Sequence, residues 1–150
     1  TNDIVSLKMN DVRQVEVGDD FFYLNTGSPH YVKFVNDIEN VNVFEEGKKI
    51  RYSNRFAVEG TNVNFIEKKG NELFVRTYER GVEDETLSCG TGVTAAALIA
   101  AFKGQSTDKN NCAIKTLGGN LNVKFEKVLE STFYNIWLEG PAKQVFKGKI

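Results

Sequence analysis

Residues Val93 to Phe102 read Val-Thr-Ala-Ala-Ala-Leu-Ile-Ala-Ala-Phe, an almost unbroken apolar run. A helix with no polar face must be buried on every side. Alanine favours helix, and its small side chain lets surrounding elements come close. Lys103 and Gly104 supply a helix stop. The run is about half the ~20 residues a bilayer crossing needs, so the partner that covers it must be the rest of this chain.

Most other segments suit short strands rich in β-branched and aromatic residues. They are Ile4–Met9, Val12–Val17, Phe21–Asn25, Tyr31–Val35, Val63–Lys68, Glu72–Tyr78, Ala113–Thr116, Leu121–Phe125 and Thr132–Leu138. Gly18, Gly70, the Gly118-Gly119 pair and Gly140 read as turns. Val43–Tyr52 reads as a surface helix, with Glu45, Glu46, Lys48 and Lys49 on a solvated face; Gly47 counts against it. The expected fold is α+β: a β-barrel-like sheet wrapped around one central buried helix.

A chain of 150 residues suits one domain, or one lobe of a larger enzyme. Its net charge of −1, with Lys and Arg scattered, gives no support for a nucleic acid or a membrane as partner. Two cysteines, Cys89 and Cys112, are too few for a disulfide framework, and a reduced cytoplasmic protein is expected. A signal-peptide pattern is lacking at the start. The first residue is Thr1 rather than Met, which reads as processing or a cut.

The passage from Arg76 to Gly92, Arg-Thr-Tyr-Glu-Arg-Gly-Val-Glu-Asp-Glu-Thr-Leu-Ser-Cys-Gly-Thr-Gly, joins a strand to the buried helix. Cys89 falls just before the helix starts. The N–H groups there are unpaired and favour anions, a bound carboxylate or a thiolate. Gly90 and Gly92 let backbone approach a ligand. Cys89 reads either as a reactive thiol at an anion cradle or as a small packed residue in a turn. Glu79 and Arg80 suit the ammonium and carboxylate of an amino acid, or a surface ion pair. Glu83, Asp84 and Glu85 read as a solvated loop. His30, the single histidine, suits a general base or a positioning group, or an ordinary half-buried polar residue; a metal site is unsupported. Asn62 suits a carboxylate or an amine, or a turn.

Together these pieces resemble diaminopimelate epimerases. Glu79-Arg80-Gly81, Glu85-Thr86 and Cys89-Gly90-Thr91-Gly92 before an Ala-rich helix resemble that family's C-terminal signature. Gly27-Ser28-Pro29-His30 resembles its Gly-Asn-Pro-His motif, and Gly60-Thr61-Asn62-Val63-Asn64-Phe65 its substrate-binding Asn segment. Gly140-Pro141-Ala142, with Val145, Phe146 and Gly148, resembles its final strand. The four motifs keep the family's order over essentially the whole chain.

The resemblance implies a cofactor-independent, two-base epimerase that interconverts LL- and meso-diaminopimelate in lysine biosynthesis. It implies two similar lobes with a thiol from each, so residues 1–150 would be the C-terminal lobe, without its N-terminal lobe and inactive alone. Cys89 would be the acid/base thiol, with Glu79 and His30 tuning its protonation. Glu79 and Arg80 would bind substrate near the reacting carbon, Asn62 and Ser28 would contact its polar groups, and Gly90 and Thr91 its α-carboxylate. Cys112, before a strand-like segment and with no glycine-rich cradle or following helix, reads as a packing residue or a free thiol. The face left for the other lobe would favour self-association, so a homodimer is among the expected states. Two departures stand out: Ser28 replaces the family's Asn, and the Gly81–Thr86 loop is one residue longer. The rival readings are a proline racemase-like or phenazine-pathway-like isomerase lobe, and a non-catalytic amino-acid-binding module.

Overall fold

The computed structural model describes residues 3–150. In chain order the strands are β1 (Asp3–Lys8), β2 (Glu16–Val17), β3 (Phe22–Asn25) and β4 (Pro29–Phe34). After a short 3-10 turn at Ile38–Asn40 come helix α1 (Val43–Arg51), β5 (Asn62–Lys69), β6 (Glu72–Glu79) and β7 (Asp84–Thr86). Helix α2 (Gly90–Phe102) precedes β8 (Asn111–Thr116), β9 (Gly119–Lys127) and β10 (Phe133–Ala142).

The strands form one sheet in the order β1-β10-β9-β8-β6-β5-β4-β3-β2, with β7 paired to β6. Two neighbouring pairs are parallel, β4 with β5 and β6 with β8. Parallel neighbours need a long crossover, and here each crossover contains a helix. Such crossovers are right-handed. Because β5 and β6 run antiparallel, that rule sends the two helices to opposite faces of the sheet. The burial follows suit. Val93 to Ala101 of α2 lie in the main core with Val32, Ile66, Val75, Ile114, Val123 and Phe133. Val43 of α1 packs in a second core with Tyr31, Phe56, Val63, Phe65 and Tyr78.

Helix α2 is therefore the buried axis that its composition requires. Every residue from Val93 to Ala100 is fully buried. It ends as Lys103 and Gly104 predict: Gly104 turns left-handed (φ 69°), and the N–H groups of Gly104 and Gln105 return to the carbonyls of Ala101 and Ala100. The sheet wraps α2 but is not a closed barrel. β1 and β2 end its path, and the chain between them makes one isolated bridge, Val12 to Phe133.

That bridge corrects the expected Val12–Val17 strand. The segment leaves β10 after Val12 and reaches β3 at Glu16, so it crosses a gap and cannot hold a ladder throughout. Gly140 is not a turn. It lies within β10, opposite Val5, where a Cβ would stand 2.4 Å from Leu121 Cδ2. The expected helix at 43–52 forms as α1, capped by the Asn42 side chain. Gly47 belongs there because a Cβ would meet Tyr78 Cβ at 2.4 Å. The acidic run is not a free loop. Asp84 and Glu85 lie in β7, and Glu85 accepts from Nε and Nη2 of Arg76 at 2.6 and 2.8 Å.

Candidate functional site

Three elements converge at the start of α2. β4 carries His30, β5 in parallel register sets Asn62 beside it, and β6 brings Glu79 and then Arg80 to the same end. Cys89 is the N-cap residue of α2, with extended backbone angles and a side chain that makes no capping bond. Its thiol is thus not used to close the helix. Val93 donates the first helical bond, to Cys89 O at 2.8 Å. The N–H groups of Gly90, Thr91 and Gly92 find no acceptor among the described residues. Three donors at a helix start form a ready receptor for a carboxylate.

Side chains beside this cradle form one hydrogen-bonded cluster. Thr91 Oγ1 lies 3.5 Å from Cys89 Sγ, 2.9 Å from His30 Nε2 and 3.1 Å from Ser28 Oγ. Ser28 Oγ is also 3.0 Å from His30 Nε2. Asn62 Nδ2 donates to Ser28 Oγ and Pro29 O, and Asn62 Oδ1 accepts from Arg80 N–H at 2.8 Å. Both amide hydrogens of Asn62 are therefore committed within the protein, leaving one lone pair on Oδ1. Thr26 Oγ1 donates to Thr91 O, tying the first turn of α2 to the loop before His30.

His30 is fully buried. Burial, assisted by the nearby Arg80 charge, pushes its pKa down to about 3. The ring is neutral at physiological pH. Arg80 donates from Nη1 to Glu59 O at 2.8 Å, which ties its guanidinium to the backbone just before Gly60. Glu79 keeps a half-buried carboxylate with no hydrogen-bond partner among the described residues. Cys112 is a separate matter: it is buried in the main core, and burial pushes its thiol up to about 11. No cluster of His, Cys, Asp and Glu among the described residues has the form of a metal site.

Of the sequence candidates, Cys89, Thr91, Ser28, His30 and Asn62 share one bonded network, and Gly90 and Arg80 border it through backbone. The side chains of Glu79 and Arg80 stand outside that network, Arg80 bonding Glu59 O instead. Two members escaped the sequence reading. Asn64 and Thr77, both buried, continue the network behind His30. Asn64 was in plain view within Asn62-Val-Asn64, where period-two alternation puts both amides on one face. Thr77 carries no such signal.

The diaminopimelate epimerase family model matches residues 22–145. A diaminopimelate epimerase of Flavobacterium psychrophilum is 49% identical over 150 residues, covering 99% of this chain and 58% of that protein. One from Methanocella arvoryzae is 43% identical over 127 residues, covering 85% of this chain and 42% of that protein. The chain thus spans about half the length of these relatives. Among solved structures, a hydroxyproline epimerase from Agrobacterium vitis, with bound trans-4-hydroxy-L-proline, superposes with a TM-score of 0.67 at 15% identity. That match covers 93% of this chain and 50% of the other, and it shows a shared fold.

Proposed function

Since the chain belongs to the diaminopimelate epimerase family, we propose that it supplies one half of a two-thiol active site that inverts the α-carbon of diaminopimelate. The observation that carries this reading is the placement of Cys89: its thiol is unused by the helix cap, beside three unpaired N–H groups and a bonded His-Thr-Ser cluster.

The chemistry follows from that placement. A thiolate takes the α-proton from one face, breaking Cα–H and forming S–H. The electron pair passes into the carboxylate, where negative charge builds. An opposing thiol gives its proton to the other face, so its S–H breaks and Cα–H re-forms with inverted configuration. Without a cofactor, the developing charge needs fixed donors in a dry site. The Gly90, Thr91 and Gly92 N–H groups are suited to that, and they need no rearrangement to do it. Glu79, whose carboxylate is uncommitted, suits the substrate ammonium, and so does the remaining Oδ1 lone pair of Asn62. Arg80 adds positive charge at the same end of the sheet. Ser28 reaches the substrate with a hydroxyl where the family has an amide.

The second thiol would come from the N-terminal lobe, residues 1–150 being the C-terminal lobe. Cys112 lies in the core and does not suit the task. The expected partner is that lobe, and the chain alone is expected to be inactive. The test is alkylation of the purified chain with adducts mapped to Cys89 and Cys112, followed by activity with a separately expressed N-terminal lobe. We expect alkylation at Cys89, turnover only after the two halves are combined, and loss of turnover in Cys89→Ala. Stereoinversion by the chain alone, or full activity in Cys89→Ala, would overturn the reading. Protection of Cys89 in the combined enzyme by a proline-type ligand and not by diaminopimelate would move it to the proline racemase-like alternative.

A further inference from the structure

Behind His30 lies a second buried amide, whose orientation is fixed by a carbonyl that can only accept. Asn64 is fully buried. Its Nδ2 sits 3.0 Å from Tyr31 O, and a carbonyl can only accept. Its Oδ1 sits 2.9 Å from Thr77 Oγ1, which donates to it. The amide is thus locked with its NH2 toward Tyr31 and its oxygen toward Thr77. The same Nδ2 lies 3.0 Å from His30 Nδ1. A donor facing that nitrogen requires a lone pair on it.

From this geometry we infer that Asn64 is a positioning residue that holds His30 as the Nε2–H tautomer, with its one proton aimed at Thr91 and Ser28 beside Cys89. The inference rests on the proposed function for its catalytic meaning. It specifies what His30 does there. His30 is a hydrogen-bond donor to the hydroxyl pair, and it does not collect the substrate proton. Protonating Nδ1 would set two N–H groups against each other in a site closed to solvent. The low pKa of His30 agrees. From Thr77 through Asn64, His30 and Thr91 the donors then run in one direction, toward the Cys89 sulfur.

Gly92 supplies a separate observation. A Cβ there would stand 2.5 Å from Asn64 Oδ1. The second glycine of Cys-Gly-Thr-Gly clears the space in which the Asn64 amide lies, so the cradle and the amide are built to fit each other.

His30 is the only histidine in the chain, so its imidazole nitrogens can be read by 15N NMR without ambiguity. The expected wild-type spectrum at pH 7 shows a pyridine-type Nδ1 and a pyrrole-type Nε2. Asn64→Asp, read at pH 8, replaces the donor by an acceptor and is expected to turn Nδ1 pyrrole-type. A wild-type Nδ1 that carries a proton would overturn the inference, as would an Asn64→Asp protein that keeps the wild-type pattern. If Asn64→Asp fails to fold, the wild-type spectrum still decides. Packing alone would not move these shifts. The measurement needs no turnover, so a failed catalytic role for Cys89 and a failed tautomer lock give separate results.

Discussion

Gly92→Ala is the sharpest perturbation the site offers, because its two consequences have opposite signs. In an ordinary helix the change adds about 1 kcal/mol of stability through propensity. Here the new methyl would meet Asn64 Oδ1 at 2.5 Å and both Cys89 Cβ and Sγ at 3.3 Å. Ordinary contact starts near 3.4 Å, so the amide oxygen would have to retreat by the difference of 3.4 and 2.5, 0.9 Å. Asn64 has nowhere to go: it is fully buried, and Thr77, Tyr31 and His30 hold it. A retreat of that size breaks at least the Thr77 bond, and a buried polar group left unpaired costs about 1–3 kcal/mol. Overpacking adds a similar amount. The sum, less the propensity gain, is a net loss of about 1–5 kcal/mol. Urea unfolding measures it. Gly90→Ala is the control, because its Cβ meets only the flexible end of Leu138, at 3.1 Å. A Gly92→Ala protein as stable as wild type would refute the claim that Asn64 is locked.

Two further predictions are independent of the site's chemistry or touch it through protons. Gly47→Ala should lose about 1–3 kcal/mol in urea unfolding despite its helix position, because the new methyl strikes Tyr78 Cβ and Cγ, which cannot swing aside. Stability should also fall in acid on account of His30. Its folded pKa, about 3, lies below the ordinary value of 6.5, so between them the unfolded chain binds the extra proton and stability rises with pH. His30 stabilises fully above pH 6.5 and loses its contribution as pH falls toward 3, by up to about 1.4 kcal/mol per pH unit. Unfolding midpoints at pH 4, 5, 6 and 7 should therefore fall more steeply in wild type than in His30→Gln; equal slopes would count against a buried neutral ring.

Much of this fold could be read from the sequence because its strongest constraint is compositional. An apolar helix admits one environment, and the strands around it follow from alternation and glycine turns. What could not be read were the places where tertiary pairing overrides local pattern. The residues after Val12 have strand propensity but cross a gap in the sheet. Gly140 has turn propensity but sits within β10, opposite Val5, with the Leu121 side chain packed close over it. The acidic residues 83–85 look solvated, yet Glu85 pairs with Arg76 across the β6–β7 ladder and Glu83 with Arg51, 32 residues earlier. The site divides in the same way. Residues in contact with the cradle lie within contiguous motifs and could be named. Asn64 and Thr77 act one layer behind, and their roles depend on which strands pair.

The turn after Glu79-Arg80 shows how such hidden pairing sets the geometry of named residues. Glu83 adopts φ 58°, a left-handed conformation for a residue with a side chain. That costs about 1–2 kcal/mol. Its carboxylate accepts from Arg51 Nε at 3.2 Å, Tyr52 OH at 3.0 Å, Tyr78 OH at 3.2 Å and Gly81 N–H at 3.1 Å. The strained residue therefore clamps the turn to α1 and fixes where β6 releases Arg80. Glu83→Gly separates the two effects. It relieves the strain but removes four hydrogen bonds, each worth about 0.5–1.5 kcal/mol net. Four such bonds are worth about 2–6 kcal/mol against about 1–2 kcal/mol of strain, so the variant is expected to lose about 2–3 kcal/mol in urea unfolding at the middle of those ranges, and the Gly81 amide to exchange its hydrogen faster. A stabilised Glu83→Gly protein would mean that the backbone strain dominates and that the turn is held by β6–β7 pairing alone.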